Sequence, residues 1–177
     1  MTLIKSISGI RGTVGGVPGE NLTPLDLVKF VSAFAGWLKH KNGVSRARIV
    51  VGRDARLSGE MFARLTEATL VGLGHDVVNI GLATTPTTEI AVTAEKADGG
   101  IILTASHNPK QWNALKLLNK DGEFLSAKDG EEVLKLAEEE RFSYAEVDEL
   151  GKISCKDYTA YHVEEVLKLP LVNREAI

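Results

Sequence analysis

Residues 99–109 read GGIILTASHNP. The first half is apolar without alternation. Strands of that kind are buried on both faces, as in a sheet covered by helices on each side. The second half turns polar at once. A serine, a histidine and an asparagine stand in a row at the strand's carboxyl end, closed by Pro109. Proline fixes its own φ and biases the preceding residue away from helical geometry, so residues 104–109 are expected to form a stiff loop. Stiffness suits a site that must hold a reacting group in one position.

Helical and strand patterns alternate on both sides of this run. Thr23-Pro24-Leu25-Asp26 reads as a capping box with proline at the first helical position. Leu25, Val28, Val31, Phe34, Ala35 and Leu38 follow at helical spacing, and Asn42-Gly43 ends the helix. Residues 47–51 read as a short β-branched strand, residues 52–59 (GRDARLSG) as a loop, residues 60–73 as a helix and residues 76–80 as the next strand. The turn TTPTTE leads into a short helix ending near Lys96. Residues 114–118 form another apolar strand, and Ser126-Ala127-Lys128-Asp129 caps a helix that reaches about Glu140. This order predicts an α/β fold, a mostly parallel mixed sheet with helices on both faces. Residues 1–150 are expected to form that domain. Residues 151–177 read as one more strand and a helix, a linker leading toward a second domain that this chain does not contain.

The chain's 177 residues suit one domain with a sizeable core. Net charge is −3, and the basic residues are scattered rather than gathered in a stripe, so no nucleic-acid or membrane partner is expected. No apolar run approaches the ~20 residues of a membrane span. The single cysteine, Cys155, cannot form an intramolecular disulfide, and a reducing, cytoplasmic location is expected. A P-loop, a dinucleotide fingerprint, an H-E-x-x-H motif and metal-spaced cysteines are all absent.

In α/β sheets, ligands bind outside the carboxyl ends of the strands, where residues 104–109 lie. Ser106 is the natural nucleophile there, and a serine hydroxyl needs a base or an electrophilic activator. His107 is adjacent, but neighbouring side chains diverge, and no G-x-S-x-G elbow is present, which counts against a serine hydrolase. Phosphoryl transfer fits better, because it relies on positioning, cations and usually a metal. Lys116, ten residues on, and Arg11, in the glycine-containing loop SGIRGT, could both serve an anionic substrate. By residue types alone such a loop is more often an ordinary surface turn. That reading stops at an α/β domain with a candidate anion site.

The string TASHNP, followed by WNALK and NKDG, resembles the phosphoserine loop of the α-D-phosphohexomutases, the family of phosphoglucomutase, phosphomannomutase and phosphoglucosamine mutase. SGIRGT at 8–13 resembles the family's N-terminal loop, and Gly52-Arg53-Asp54 with Arg56-Leu57-Ser58-Gly59 resembles its VGRDxRxSG segment. The resemblance implies the first of four domains, with Ser106 carried as a phosphoserine. That serine would give its phosphoryl group to a hexose or hexosamine phosphate through a 1,6-bisphosphate. Lys116 matches the family's general acid/base, Arg11 its loop arginine, and His107 a contact for substrate or phosphate. Mg²⁺ would bind one oxygen of the phosphoserine. The family's metal loop D-G-D-x-D-R, its sugar-selecting G-E-x-S-G loop and its phosphate-binding R-x-S-G-T are missing, and Ala114 replaces the usual glycine of N-G-x-K. WNALK resembles archaeal-type phosphoglucosamine mutases, which leans toward an amino sugar. The chain alone is therefore expected to be inactive, its partners being sugar phosphates and the downstream domains. The alternative is a stand-alone module that binds a sugar phosphate through Arg11 and His107 without chemistry.

Overall fold

The computed structural model describes residues 1–6 and 9–176, so Ser8, which opens the SGIRGT motif, lies outside the described residues. The elements in chain order are β1 (Ile4–Ser6), β2 (Gly9–Thr13), α1 (Pro24–Asn42), β3 (Arg48–Arg53), α2 (Gly59–Gly72), β4 (Asp76–Leu82), α3 (Thr85–Ala94), β5 (Gly99–Leu103), β6 (Trp112–Leu118), α4 (Ala127–Glu139), β7 (Ile153–Cys155) and α5 (Thr159–Leu167). The strands form one sheet in the order β1-β2-β6-β5-β3-β4-β7. The half from β5 through β7 is parallel, and the half from β1 to β5 is antiparallel.

β5 lies at the centre of this mixed sheet, and every one of its residues is buried. Successive side chains of a strand point to opposite faces. Ile101 and Leu103 therefore enter one core, while Ile102 enters the other. The first core is closed by α1, with Phe30 and Phe34, by α2, with Phe62 and Leu70, and by α4, with Val133. The second, smaller core is closed by α3, with Ala91 and Val92. The unalternating GGIIL run thus reports a strand covered on both sides.

Capping follows the sequence closely. Thr23 and Asp26 form the expected box, the Asp26 carboxylate accepting the Thr23 backbone N–H at 3.1 Å. Ser126 caps α4 and Gly43 ends α1 in left-handed geometry. The buried stripe of α1 differs from the expected one. Leu25 is exposed, and Leu27, Phe30, Ala33 and Trp37 are buried with Val31, Phe34, Ala35 and Leu38. The helix packs against the sheet, α2 and α4 at once, so its buried face is wider than a single stripe.

One part of the chain departs from expectation. Residues 9–13 are not a loop but strand β2, paired antiparallel with β6. The strand and helix expected after residue 150 are present, and residues 153–155 join the sheet. They form its edge strand β7, parallel to β4. The segment behind β7 is tied down as well. The Glu95 carboxylate at the end of α3 accepts from Arg48 at 2.5 Å, from Lys156 at 2.6 Å and from the Tyr158 hydroxyl. His162 of α5 meets Thr87 Oγ1 at 2.8 Å. Burial raises the Glu95 pKa, but the bonds from Lys156 and Tyr158 and the charge of Arg48 outweigh it and hold the carboxyl below its usual range. No helix among the described residues is long and apolar enough to cross a membrane.

Candidate functional site

The parallel pairing of β3 and β5 sets Arg53 beside Leu103, so the loops leaving the two strands emerge side by side. β6 starts at the same end and runs back antiparallel to β5, with Lys116 opposite Ile102. β2 lies outside β6, with Arg11 opposite Ala114. The two-residue period of strands puts Arg11, Ala114 and Lys116 on one face of the sheet. A cleft of about 250 Å³ opens there, lined by Arg11, Ser106, His107, Lys116 and Phe124, among others. All four residues singled out from the sequence therefore meet in one place.

Gly9 makes this arrangement possible. Its φ is +119°, and a Cβ at that position would lie 2.2 Å from the Leu115 carbonyl oxygen. β2 can lie close to β6, and carry Arg11 to the cleft, only because residue 9 has no side chain.

Among the described residues, Arg11 and Lys116 take part in no ion pair. The Lys116 ammonium stands 5.4 Å from the centre of the Phe124 ring. Two unpaired cations beside an exposed serine hydroxyl form a receptor for an anion. A larger cleft of about 690 Å³ lies by the ends of β3, β4 and β7, but its cations are engaged. Arg53 and Arg64 bind Glu60, and Lys156 binds Glu95.

Ser106 itself is unusual. Its φ is +53°, one of three non-glycine residues with positive φ among those described. The left-handed region costs an L-residue about 1–2 kcal/mol, so surrounding contacts must hold it there. Ser106 Oγ lies 3.5 Å from His107 Nδ1, too long for an effective O–H···N bond. Among the described residues no carboxylate bonds to His107. In this geometry the pair is not a nucleophile–base couple, which agrees with the divergence expected of adjacent side chains.

The loop's anchor was not singled out as a site residue from the sequence. The Arg56 side chain is only 11% exposed, and its guanidinium sits under the loop. It donates to the carbonyls of Ser106 (2.7 Å), Asn108 (2.8 Å), Pro109 (2.9 Å) and Trp112 (3.0 Å). Its Nε lies 3.2 Å from Asp54 Oδ2 without hydrogen-bond alignment. Asp54 also accepts the Arg56 backbone N–H at 3.0 Å and the Thr104 hydroxyl at 2.6 Å. The available signal was the GRDAR string, with an aspartate two residues before an arginine in a side-chain-to-backbone turn. Local sequence could not say what that arginine faces.

These features have counterparts in known proteins. Residues 3–144 match the model of the phosphoglucomutase/phosphomannomutase α/β/α domain I. The chain belongs to this family. It is 37% identical over 157 residues to a phosphoglucomutase/phosphomannomutase of Thermococcus kodakarensis, a match covering 88% of this chain and 34% of that protein. It is 34% identical over 161 residues to a probable phosphoglucosamine mutase of Pyrococcus abyssi, covering 91% and 34% respectively. Among solved structures, a phosphoglucomutase/phosphomannomutase family protein of Burkholderia thailandensis superposes with a TM-score of 0.75 at 25% identity, over 93% of this chain and 36% of that one. The chain thus spans about a third of the length of these relatives and corresponds to their first domain.

Among the described residues, no group of three or more His, Cys, Asp or Glu side chains could hold a metal ion. The carboxylate nearest the loop in the bonding network, Asp54, is already committed to Thr104 and Arg56.

Proposed function

We propose that this chain is the phosphoryl-carrying part of an enzyme that interconverts hexose or hexosamine 6- and 1-phosphates. The supporting observation is the meeting in one cleft of Ser106 with Arg11 and Lys116, two cations without an ion pair among the described residues, in a chain of this family. Ser106 Oγ would carry the phosphoryl group. The P–O bond to the serine breaks as a bond forms to the free hydroxyl oxygen of the sugar monophosphate, giving a 1,6-bisphosphate. The other phosphate then returns to Ser106. Lys116 would take the proton of the attacking hydroxyl and lend it to the departing oxygen. Arg11 and His107 would hold phosphate oxygens. Such transfer depends mainly on positioning and on positive charge around the equatorial oxygens, and the cleft offers both. The Mg²⁺ expected for such chemistry would find its protein ligands outside the described residues, so no step is assigned to it here.

The chain by itself is expected to show no mutase turnover with hexose phosphates. Extended by the downstream two-thirds that its relatives carry, it is expected to turn over, and Ser106→Ala should abolish the phosphoenzyme seen by intact mass. Turnover by the Ser106→Ala form would overturn the reading. Tight calorimetric binding of hexose phosphate to the 177-residue chain, with no phosphate ever carried on Ser106 in the extended form, would make it a binding module instead.

A further inference from the structure

We propose that Arg56, acting with Asp54 and Thr104, is the positioning device of the serine loop, imposing the left-handed geometry that aims Ser106 into the cleft. Both ends of the Ser106 peptide unit are held by this one network. Its carbonyl accepts from Arg56 Nη2 at 2.7 Å. Its N–H donates to Thr104 Oγ1 at 3.2 Å, and that hydroxyl donates to Asp54 Oδ2 at 2.6 Å. Asp54 stands 3.2 Å from Arg56 Nε, which closes the circuit.

Donor arithmetic makes Arg56 hard to replace. A guanidinium has five N–H groups in a rigid fork. The four on its terminal nitrogens match four carbonyl acceptors, while Nε makes no aligned hydrogen bond and meets the Asp54 carboxylate by charge alone. A lysine offers three donors from a single point and cannot span four carbonyls. The same engagement means that Arg56 has no terminal N–H left for a phosphate, unlike Arg11. It acts through the loop rather than on the substrate. Pro109 stiffens the loop's end, but the fork under the loop selects which stiff shape it takes.

The backbone part of this inference stands on geometry alone. Its consequence for transfer rests on the proposed function. The test is therefore double. In NMR spectra of the 177-residue chain, a positive φ brings the Ser106 Hα close to its own amide proton and gives a strong intraresidue cross-peak. Arg56→Lys and Thr104→Val are each expected to weaken that cross-peak while core amides such as those of Ile101 and Ile102 keep their shifts. Free guanidinium added to Arg56→Ala is expected to restore it in part. A Ser106 cross-peak unchanged in both Arg56→Lys and Thr104→Val would overturn the inference. If Arg56→Lys does not fold, Thr104→Val decides alone. In the extended, catalytically complete polypeptide, Arg56→Lys is expected to lower kcat by ~10²-fold with little change in KM, as misplacement of a reacting group does. If wild type carries no phosphate at all, the proposed function fails while the spectra still decide the role of Arg56.

Discussion

Replacing Gly9 by alanine tests whether the contact between β2 and β6 is what delivers Arg11. The new Cβ would sit 2.2 Å from the Leu115 carbonyl oxygen, where real Cβ atoms essentially never come within 3.0 Å. The obstacle is backbone of a central strand pair and cannot swing away as a side chain would. β2 must therefore retreat, and alanine must also adopt a φ near +119° or abandon it. Strain of that kind costs about 1–3 kcal/mol, and each ladder bond lost adds ~1 kcal/mol, for a total of about 2–4 kcal/mol. In a domain of this size that lowers the thermal midpoint by roughly 4–16 °C. Gly15→Ala is the control, because its φ is also positive, +92°, but nothing lies within 4 Å of the added Cβ. Calorimetry should show Gly9→Ala well below Gly15→Ala, and phosphate or hexose phosphate should bind Gly9→Ala more weakly. Equal midpoints for the two variants would refute the steric argument. An unchanged anion affinity would separate Arg11 from β2 placement.

Three further outcomes are expected. His75 is buried and its Nδ1 accepts the Ala47 N–H at 3.0 Å, while burial and the charges of Lys39 and Arg46 push its pKa below the ordinary value against the opposing pull of Asp98 and Asp76. The unfolded chain protonates this histidine near pH ~6.5 and the native state only lower, so its contribution is complete above that pH and is lost as pH falls toward the native value. The corresponding slope in urea midpoints should be missing in His75→Gln. Glu95→Ala should loosen residues 153–167, raising their hydrogen exchange by the equivalent of about 1–3 kcal/mol while β5 stays protected, because it removes the acceptor of Arg48, Lys156 and Tyr158. Uniform loss of protection across the sheet would contradict the local anchoring. In the extended enzyme, Lys116→Ala should retain phosphate on Ser106 but slow transfer by ~10²-fold or more. Normal turnover would remove Lys116 from its assigned role.

Much of the molecule was legible from local patterns. The caps at Thr23 and Ser126 work through atoms within three residues, so sequence alone locates them. The run Ile101-Ile102-Leu103 announced burial on both faces because each of its residues is apolar, whichever core it enters. Ser106, His107 and Lys116 were legible for a related reason: the strand end and the antiparallel return of β6 place them within ten residues of one another along the chain.

What tertiary structure decided has no local cause. GIRGT carries two glycines and no alternation, and it becomes strand β2 only because β6 offers it an unpaired edge. Ile153–Cys155 is exposed throughout and is a strand only because β4 has a free side. Arg56 looked like one more loop arginine in GRDARLSG, some fifty residues from the carbonyls it holds. Periodicity and capping record what a residue does with its neighbours in sequence, and those signals determined the helices, the central strand and the serine loop. Edge pairing and the direction of a buried guanidinium depend on which surfaces the packed sheet leaves open. Only the assembled fold could decide the placement of Arg11, the docking of the last strand and the grip on Ser106.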